Sequence, residues 1–106
     1  RKRDGPRTLQ VINIWKADAS FAALATSPVV GNLVANLAGW SGARLAQDQV
    51  WYKPPGAGPL VFHRDTTYFE DLTSHVVTVW VALDDMDDEA VGPLEYVVGS
   101  HKWGEG

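Results

Sequence analysis

The sequence predicts a mainly β fold that is entered through N-terminal helices. Helical signals occur early in the chain, and a series of short strand-like segments separated by turn residues follows them. Short strands at short spacing are typical of an antiparallel barrel or sandwich. About four or five strands can be recognised, whereas a jelly roll has about eight. The sheet is therefore expected to be incomplete within these residues.

Residues 1–40 form the predicted helical entry. A strand is predicted over 8–14, where β-branched residues are frequent, and a short helix over 18–26 with Asp18 as its N-cap. Ser27-Pro28 opens a second helix, because serine suits the N-cap and proline the first helical position, and Gly39 ends it. The apolar face of that second helix consists of Val30, Leu33, Val34, Leu37 and Ala38.

The sequence pattern of residues 41–106 predicts the first strands of a sheet. The loop 53–59 contains two consecutive prolines and two glycines, and residues 84–92 form an acidic turn. The predicted strands cover residues 44–52, 60–63, 75–83 and 94–98. The whole chain, 1–106, is interpreted as one domain, and the lack of an initiator methionine, Met86 being the only methionine, suggests a piece of a longer protein.

Composition narrows the classes of function. Apolar residues make up 45% and charged residues 21% of the chain, as in an ordinary globular protein. The net charge of -4 gives no basis for nucleic acid or an anionic membrane as a partner. No apolar run is expected to be long enough for a membrane span. The absence of cysteine excludes thiolate metal sites and leaves the compartment open.

The residues with the clearest chemical meaning are His63 and Asp65. In a strand-like segment, residues two apart point to the same face, so an imidazole and a carboxylate can meet one metal ion. A non-haem Fe(II) oxygenase uses two histidines and one carboxylate and keeps the remaining positions open. His-x-Asp also arises by chance at surfaces. A protein-kinase His-Arg-Asp is excluded, because the catalytic-loop asparagine and the Gly-rich loop are missing.

Further short motifs surround this pair in a specific order over about half of the chain. They are Tyr52-Lys53-Pro54-Pro55-Gly56, Phe62-His63-Arg64-Asp65 with Tyr68, Thr78-Val79-Trp80-Val81-Ala82-Leu83-Asp84-Asp85, Gly92-Pro93-Leu94 and Gly99-Ser100-His101-Lys102-Trp103. In content and spacing this series resembles the phytanoyl-CoA dioxygenase family of Fe(II)/2-oxoglutarate-dependent oxygenases. The resemblance implies a partial double-stranded β-helix, or jelly roll, of which this chain is the N-terminal half.

The resemblance also implies cofactors and site residues. Fe(II) would be held by His63 and Asp65, with 2-oxoglutarate as co-substrate, and an aliphatic carbon of a small-molecule or acyl substrate would be hydroxylated. Gln47, Gln49, Lys53 and Trp80 fall where relatives contact the co-substrate or substrate. The alternatives are a solvated polar strand face for the two glutamines and core packing for Trp80.

The sequence departs from the family pattern in several places. Its acidic turn replaces the usual Glu-Asn-Gly-Pro, and Val98 replaces a proline before Gly-Ser-His. The second iron histidine and the arginine that binds 2-oxoglutarate lie, in relatives, beyond the matched motifs. His101 and His75 are interpreted as a turn residue and the start of a strand, not as the missing ligand, and the acidic turn lacks the calcium-binding pattern of an EF-hand.

Two interpretations of function remain open. The first is an oxygenase domain of which these residues alone would be inactive, and the second is a truncated or degenerate jelly-roll binding module without turnover. Unpaired strand edges also predict self-association.

Overall fold

The computed structural model describes residues 5–65 and 75–104. Within these ranges two strands and two α-helices alternate with short 3-10 turns. In chain order the elements are β1 (Leu9–Ile12), a 3-10 turn (Ile14–Lys16), α1 (Ala19–Ala25), α2 (Pro28–Ala38), β2 (Gln49–Tyr52) and two further 3-10 turns, Glu89–Val91 and Ser100–Lys102.

Helix α1 begins where the sequence predicts. The Asp18 backbone is extended, and its carboxylate accepts hydrogen bonds from the backbone N–H groups of Ser20 and Phe21 at 2.9 and 3.1 Å. These are N–H groups of the first turn that have no partner inside the helix. The predicted N-cap is therefore confirmed.

Helix α2 begins with Pro28 and ends at Gly39, as the local signals predict. Gly39 has a left-handed backbone (φ 73°), and the following Trp40 N–H donates to the Ala35 carbonyl at 2.8 Å. This hydrogen bond, which spans six residues, is typical of the Schellman motif, in which a glycine with a left-handed backbone ends the helix. Ser27 occupies the N-cap position, but its side chain makes no capping hydrogen bond.

The two strands form one antiparallel pair. Leu9 lies opposite Tyr52, Gln10 opposite Trp51, Val11 opposite Val50, and Ile12 opposite Gln49. Because side chains alternate between faces, Gln10, Ile12, Gln49 and Trp51 share one face of the pair. β1 ends because Asn13 takes a left-handed conformation (φ 58°), which asparagine tolerates better than most residues.

The structure contains fewer and shorter strands than the sequence predicts. Residues 60–63, 75–83 and 94–98 form no strand in the described part of the chain, and of 44–52 only Gln49–Tyr52 pairs. The physical reason is that a segment forms a strand only where it hydrogen-bonds to a neighbouring strand. β1 and β2 pair over four residues each, which limits the length of both strands. A β-rich sequence without a partner edge stays an unpaired extended segment. The jelly roll itself stays a prediction.

Little of the apolar surface is covered. Among the described residues, the buried apolar side chains are those of Val34 and Ala35 on α2. The accessible surface is 9512 Å², whereas a compact monomer of 11.6 kDa exposes ~5,800 Å². The radius of gyration is 15.8 Å, against ~13 Å for a compact domain of this length. Most of the apolar side chains in the described residues are therefore exposed or only partly covered.

One apolar stretch is longer than the sequence patterns suggested. Ala19–Ala38 has 20 residues and a mean hydropathy of 1.4, which satisfies the length and composition of a membrane-crossing helix. The expectation that no run is long enough was therefore wrong as a matter of length. Core helices of globular proteins and signal sequences meet the same criterion, and here α1 ends and α2 begins inside the stretch.

Candidate metal centre

His63 and Asp65 are brought together. The distance from His63 Nε2 to Asp65 Oδ1 is 3.3 Å, and the two side chains are 40% and 49% exposed. Two donor atoms bound at about 2.1 Å and at right angles to one octahedral ion would be ~3.0 Å apart. The observed spacing needs only a small adjustment for both atoms to bind the same cation.

The other ring nitrogen of His63 has a different role. Nδ1 lies 2.8 Å from the Val61 carbonyl oxygen, which can only accept a hydrogen bond. Nδ1 must therefore carry the proton in this contact and donate it. In the neutral imidazole the lone pair is then on Nε2, the atom that faces Asp65. This backbone contact is the kind that orients metal-binding histidines in proteins.

The two facing atoms are of the kinds that bind metal ions. The His63 ring nitrogen Nε2 and the Asp65 carboxylate oxygen Oδ1 lie 3.3 Å apart, and these are the atoms through which histidine and aspartate bind a metal. The donor set of one imidazole and one carboxylate suits Fe(II), whose oxygenase sites combine these ligand types.

Arg64, between the two predicted ligands, extends to a part of the chain that is distant in sequence. Its Nη2 donates to the backbone carbonyls of Trp103 and Gly104, both at 3.0 Å. The segment that carries the predicted ligands is thereby tied to the residues that follow the 3-10 turn Ser100–Lys102. Sequence reasoning gave Arg64 no role, since no local pattern links positions about 39 residues apart.

Gln49 lies in a small polar network on the sheet. Its Oε1 accepts from Gln10 Nε2 at 2.8 Å and from Trp51 Nε1 at 3.2 Å. The side-chain oxygen is thus occupied, whereas the amide N–H₂ is the part that could donate to a carboxylate. Gln47 precedes β2 and is half-buried, outside any strand.

The structure shows Lys53 in a contact between two loops and Trp80 partly exposed. Lys53 Nζ donates to the Gly92 carbonyl at 3.3 Å, which joins the Pro-Pro loop to the end of the acidic turn. Gly92 has φ 71°, a left-handed backbone conformation that favours glycine at this position. Trp80 is 47% exposed and is not packed into a core.

The two remaining histidines and the acidic turn do not join the pair. In the described residues, no group of three or more histidine or carboxylate side chains comes together. The His75 ring instead lies 6.3 Å from that of Trp40. Asp88 caps the turn Glu89–Val91 by accepting from Ala90 N–H at 2.8 Å. Tyr68, named from the motif, falls outside the described residues.

A shallow apolar pocket of about 170 Å³ lies elsewhere, between α1 and Leu83. Ser20, Phe21, Leu24 and Leu83 line it, and neither predicted ligand does. Ser20 is the one polar residue in this lining, and a ligand site usually has several convergent polar groups, so the pocket supports no separate site.

Comparison with known proteins decides the family. The family model described as "Phytanoyl-CoA dioxygenase (PhyH)" matches residues 2–106, almost the whole chain. The chain belongs to the phytanoyl-CoA dioxygenase family. Membership agrees with the motifs from Tyr52 to Trp103 and assigns a dioxygenase-type oxidoreductase in general terms. Neither a curated protein nor a solved structure matches the chain.

Proposed function

We propose that this phytanoyl-CoA dioxygenase family chain supplies two of the three protein ligands of an Fe(II)/2-oxoglutarate-dependent dioxygenase that hydroxylates an aliphatic carbon. The observation that supports this most is the His63 Nε2–Asp65 Oδ1 pair at 3.3 Å, with Nδ1 held by the Val61 carbonyl. Iron with bound 2-oxoglutarate would activate dioxygen, releasing succinate and carbon dioxide and delivering one oxygen atom to a C–H bond.

The side chains have distinct tasks in this proposal. His63 and Asp65 bind the ion, and the carboxylate also lowers the charge of the centre. The Gln49 amide N–H₂ and the Lys53 ammonium supply donors suited to the carboxylates of 2-oxoglutarate. Trp80, half-exposed, supplies an aromatic face for the co-substrate or substrate. Gln47 is a further candidate donor beside β2.

The remaining ligands are expected outside the described residues. A facial triad needs a second histidine, and His75 and His101 do not gather with His63 and Asp65 where the structure describes them. The proposal therefore includes a histidine and an arginine elsewhere in the protein that contains this chain. The substrate would be a small molecule or an acyl compound.

The alternative is a binding module of the same family without turnover. The observation in its favour is that only two ligand side chains meet in the described residues. Succinate release separates the two functions, because a binding module would release none under any condition.

The test is succinate formation by the protein that contains this chain, with Fe(II), ascorbate, 2-oxoglutarate and a panel of acyl and small-molecule substrates. We expect His63→Ala to abolish succinate formation, because it removes a metal ligand. His101→Ala is the matched control and should retain activity, because His101 lies on the exposed turn Ser100–Lys102. Activity that survives His63→Ala, or that is lost only with His101→Ala, would contradict the assignment.

A further inference from the structure

Arg64 connects the predicted metal ligands to a segment that is remote in sequence. It lies between His63 and Asp65, and its guanidinium donates two 3.0 Å hydrogen bonds to the carbonyls of Trp103 and Gly104. One planar guanidinium nitrogen thus holds two consecutive peptide carbonyls. The two N–H groups of this nitrogen have fixed directions in the guanidinium plane, whereas the three N–H groups of a lysine ammonium rotate, so lysine is expected to reproduce the contact only in part.

The two sides of this short segment have separate roles. His63 and Asp65 meet each other at 3.3 Å, whereas Arg64 reaches in another direction to Trp103. A metal ion bound by both neighbours would fix the backbone on either side of Arg64. An arginine on a fixed backbone loses less conformational freedom when it forms its two hydrogen bonds, so those bonds become stronger on average.

We infer that Arg64 is a positioning residue through which metal binding at His63 and Asp65 orders the segment after Ser100–Lys102. By thermodynamic reciprocity, the same tie raises the affinity of the pair for the metal. The inference rests on the proposed function, since it needs a metal at this pair. It goes further by assigning a role to Arg64 and a conformational consequence to the residues around Trp103.

Trypsin offers a direct readout, because it cleaves after Lys102, one residue before the first carbonyl that Arg64 holds. The full chain is digested with and without saturating Co(II), and cleavage at Lys102 is compared with cleavage at the exposed Lys16 in the same digest. We expect Co(II) to slow cleavage at Lys102 about fivefold and to leave Lys16 unaffected, which is the lower end of usual coupling between two sites.

Three variants separate positioning from a general structural role. Arg64→Gln should cleave rapidly at Lys102 with or without Co(II), and Arg64→Lys should recover part of the protection. Arg44→Gln removes the same charge from an exposed loop position and should behave as the wild type. If Arg64 were only structural, Arg64→Gln would accelerate cleavage but retain the response to Co(II).

The outcomes also distinguish this inference from the proposed function. A wild-type chain that binds Co(II) through His63 without protecting Lys102 overturns the inference and leaves the metal assignment standing. Equal protection in Arg64→Gln and wild type overturns it as well. A wild-type chain that binds no Co(II) overturns both the metal assignment and the inference.

Discussion

At the residue scale, His63 uses its two ring nitrogens differently. Nδ1 donates to the Val61 carbonyl at 2.8 Å, and Nε2 faces Asp65 at 3.3 Å. The contact with Val61 is made within the same segment, so this contact by itself orients the imidazole. A pre-oriented ligand requires less ordering on binding, which is how backbone carbonyls next to metal histidines increase affinity.

Asp65 is the carboxylate ligand of the proposed centre. A facial triad combines one such carboxylate with two histidines. We predict that Asp65→Ala abolishes succinate release by the protein that contains this chain, because neutral ligands alone hold a hard divalent ion less well.

The matched control for Asp65 is Asp87→Ala, which removes an exposed carboxylate in the acidic turn. It should leave succinate release unchanged. Wild-type levels of succinate from Asp65→Ala would remove Asp65 from the ligand set.

The site could be predicted from sequence only where it is local. His63 and Asp65 are two residues apart, so the alternation of side chains alone suggested that they meet. The contacts Arg64–Trp103 and Lys53–Gly92 join positions about 39 residues apart, and no pattern in the chain signals them. Such pairings depend on the path of the backbone between them, which the residue types at the two ends do not determine.

At the scale of the elements, the ends of the helices were predictable because each signal lies inside its own segment. Asp18, Pro28 and Gly39 act on backbone groups within a few residues of themselves. The strands predicted over 60–63, 75–83 and 94–98 required a neighbour, and where the structure describes them they have no paired edge. Propensity marks a residue as suited to a strand, but pairing depends on the rest of the fold.

The N-cap of α1 gives a stability prediction. Asp18→Ala removes the acceptor of two backbone hydrogen bonds and should lower the free energy of unfolding by about 1 kcal/mol. Urea unfolding followed by far-UV circular dichroism measures it. Ser27→Ala is the matched control at the N-cap of α2, and it should have little effect because Ser27 makes no capping hydrogen bond. Equal losses in the two variants would refute this explanation.

Alanine substitutions of Gly39, at the end of α2, and of Gly31, inside it, should change the free energy of unfolding in opposite directions. Gly39→Ala forces a side chain into a left-handed conformation (φ 73°) and should destabilise the chain by about 1 kcal/mol. Gly31→Ala lies inside the helix with no atom within 4 Å of the added Cβ, and should stabilise it by roughly 0.5–1 kcal/mol. Thermal unfolding of both variants tests the pair, and a shift in the same direction would contradict it.

At the scale of the whole molecule, the main feature is the large area of exposed apolar surface. The accessible area of 9512 Å² exceeds the ~5,800 Å² of a compact monomer, and the exposed set includes Val11, Ile12, Val79 and Leu83. The described residues include one sheet of two strands, and a sheet of that size is only marginally stable by itself. Apolar faces and open edges of this kind attract further strands.

We therefore predict that the isolated chain self-associates unless other protein covers these faces. Val11→Lys places a charge on the exposed face of β1 and should shift sedimentation toward the monomer. Ala43→Lys adds the same charge in an exposed loop and should not. A wild-type chain that sediments as a monodisperse monomer would contradict the prediction and favour a complete small domain.

The most direct test of the central claim is a calorimetric titration of the chain with Co(II) as a surrogate for Fe(II). The account predicts weak binding at one site, because two protein ligands meet where an iron centre of this type uses three. His63→Ala should abolish that binding, whereas His101→Ala should leave it unchanged. Tight binding that persists in His63→Ala would show that the metal is held elsewhere and would contradict the account.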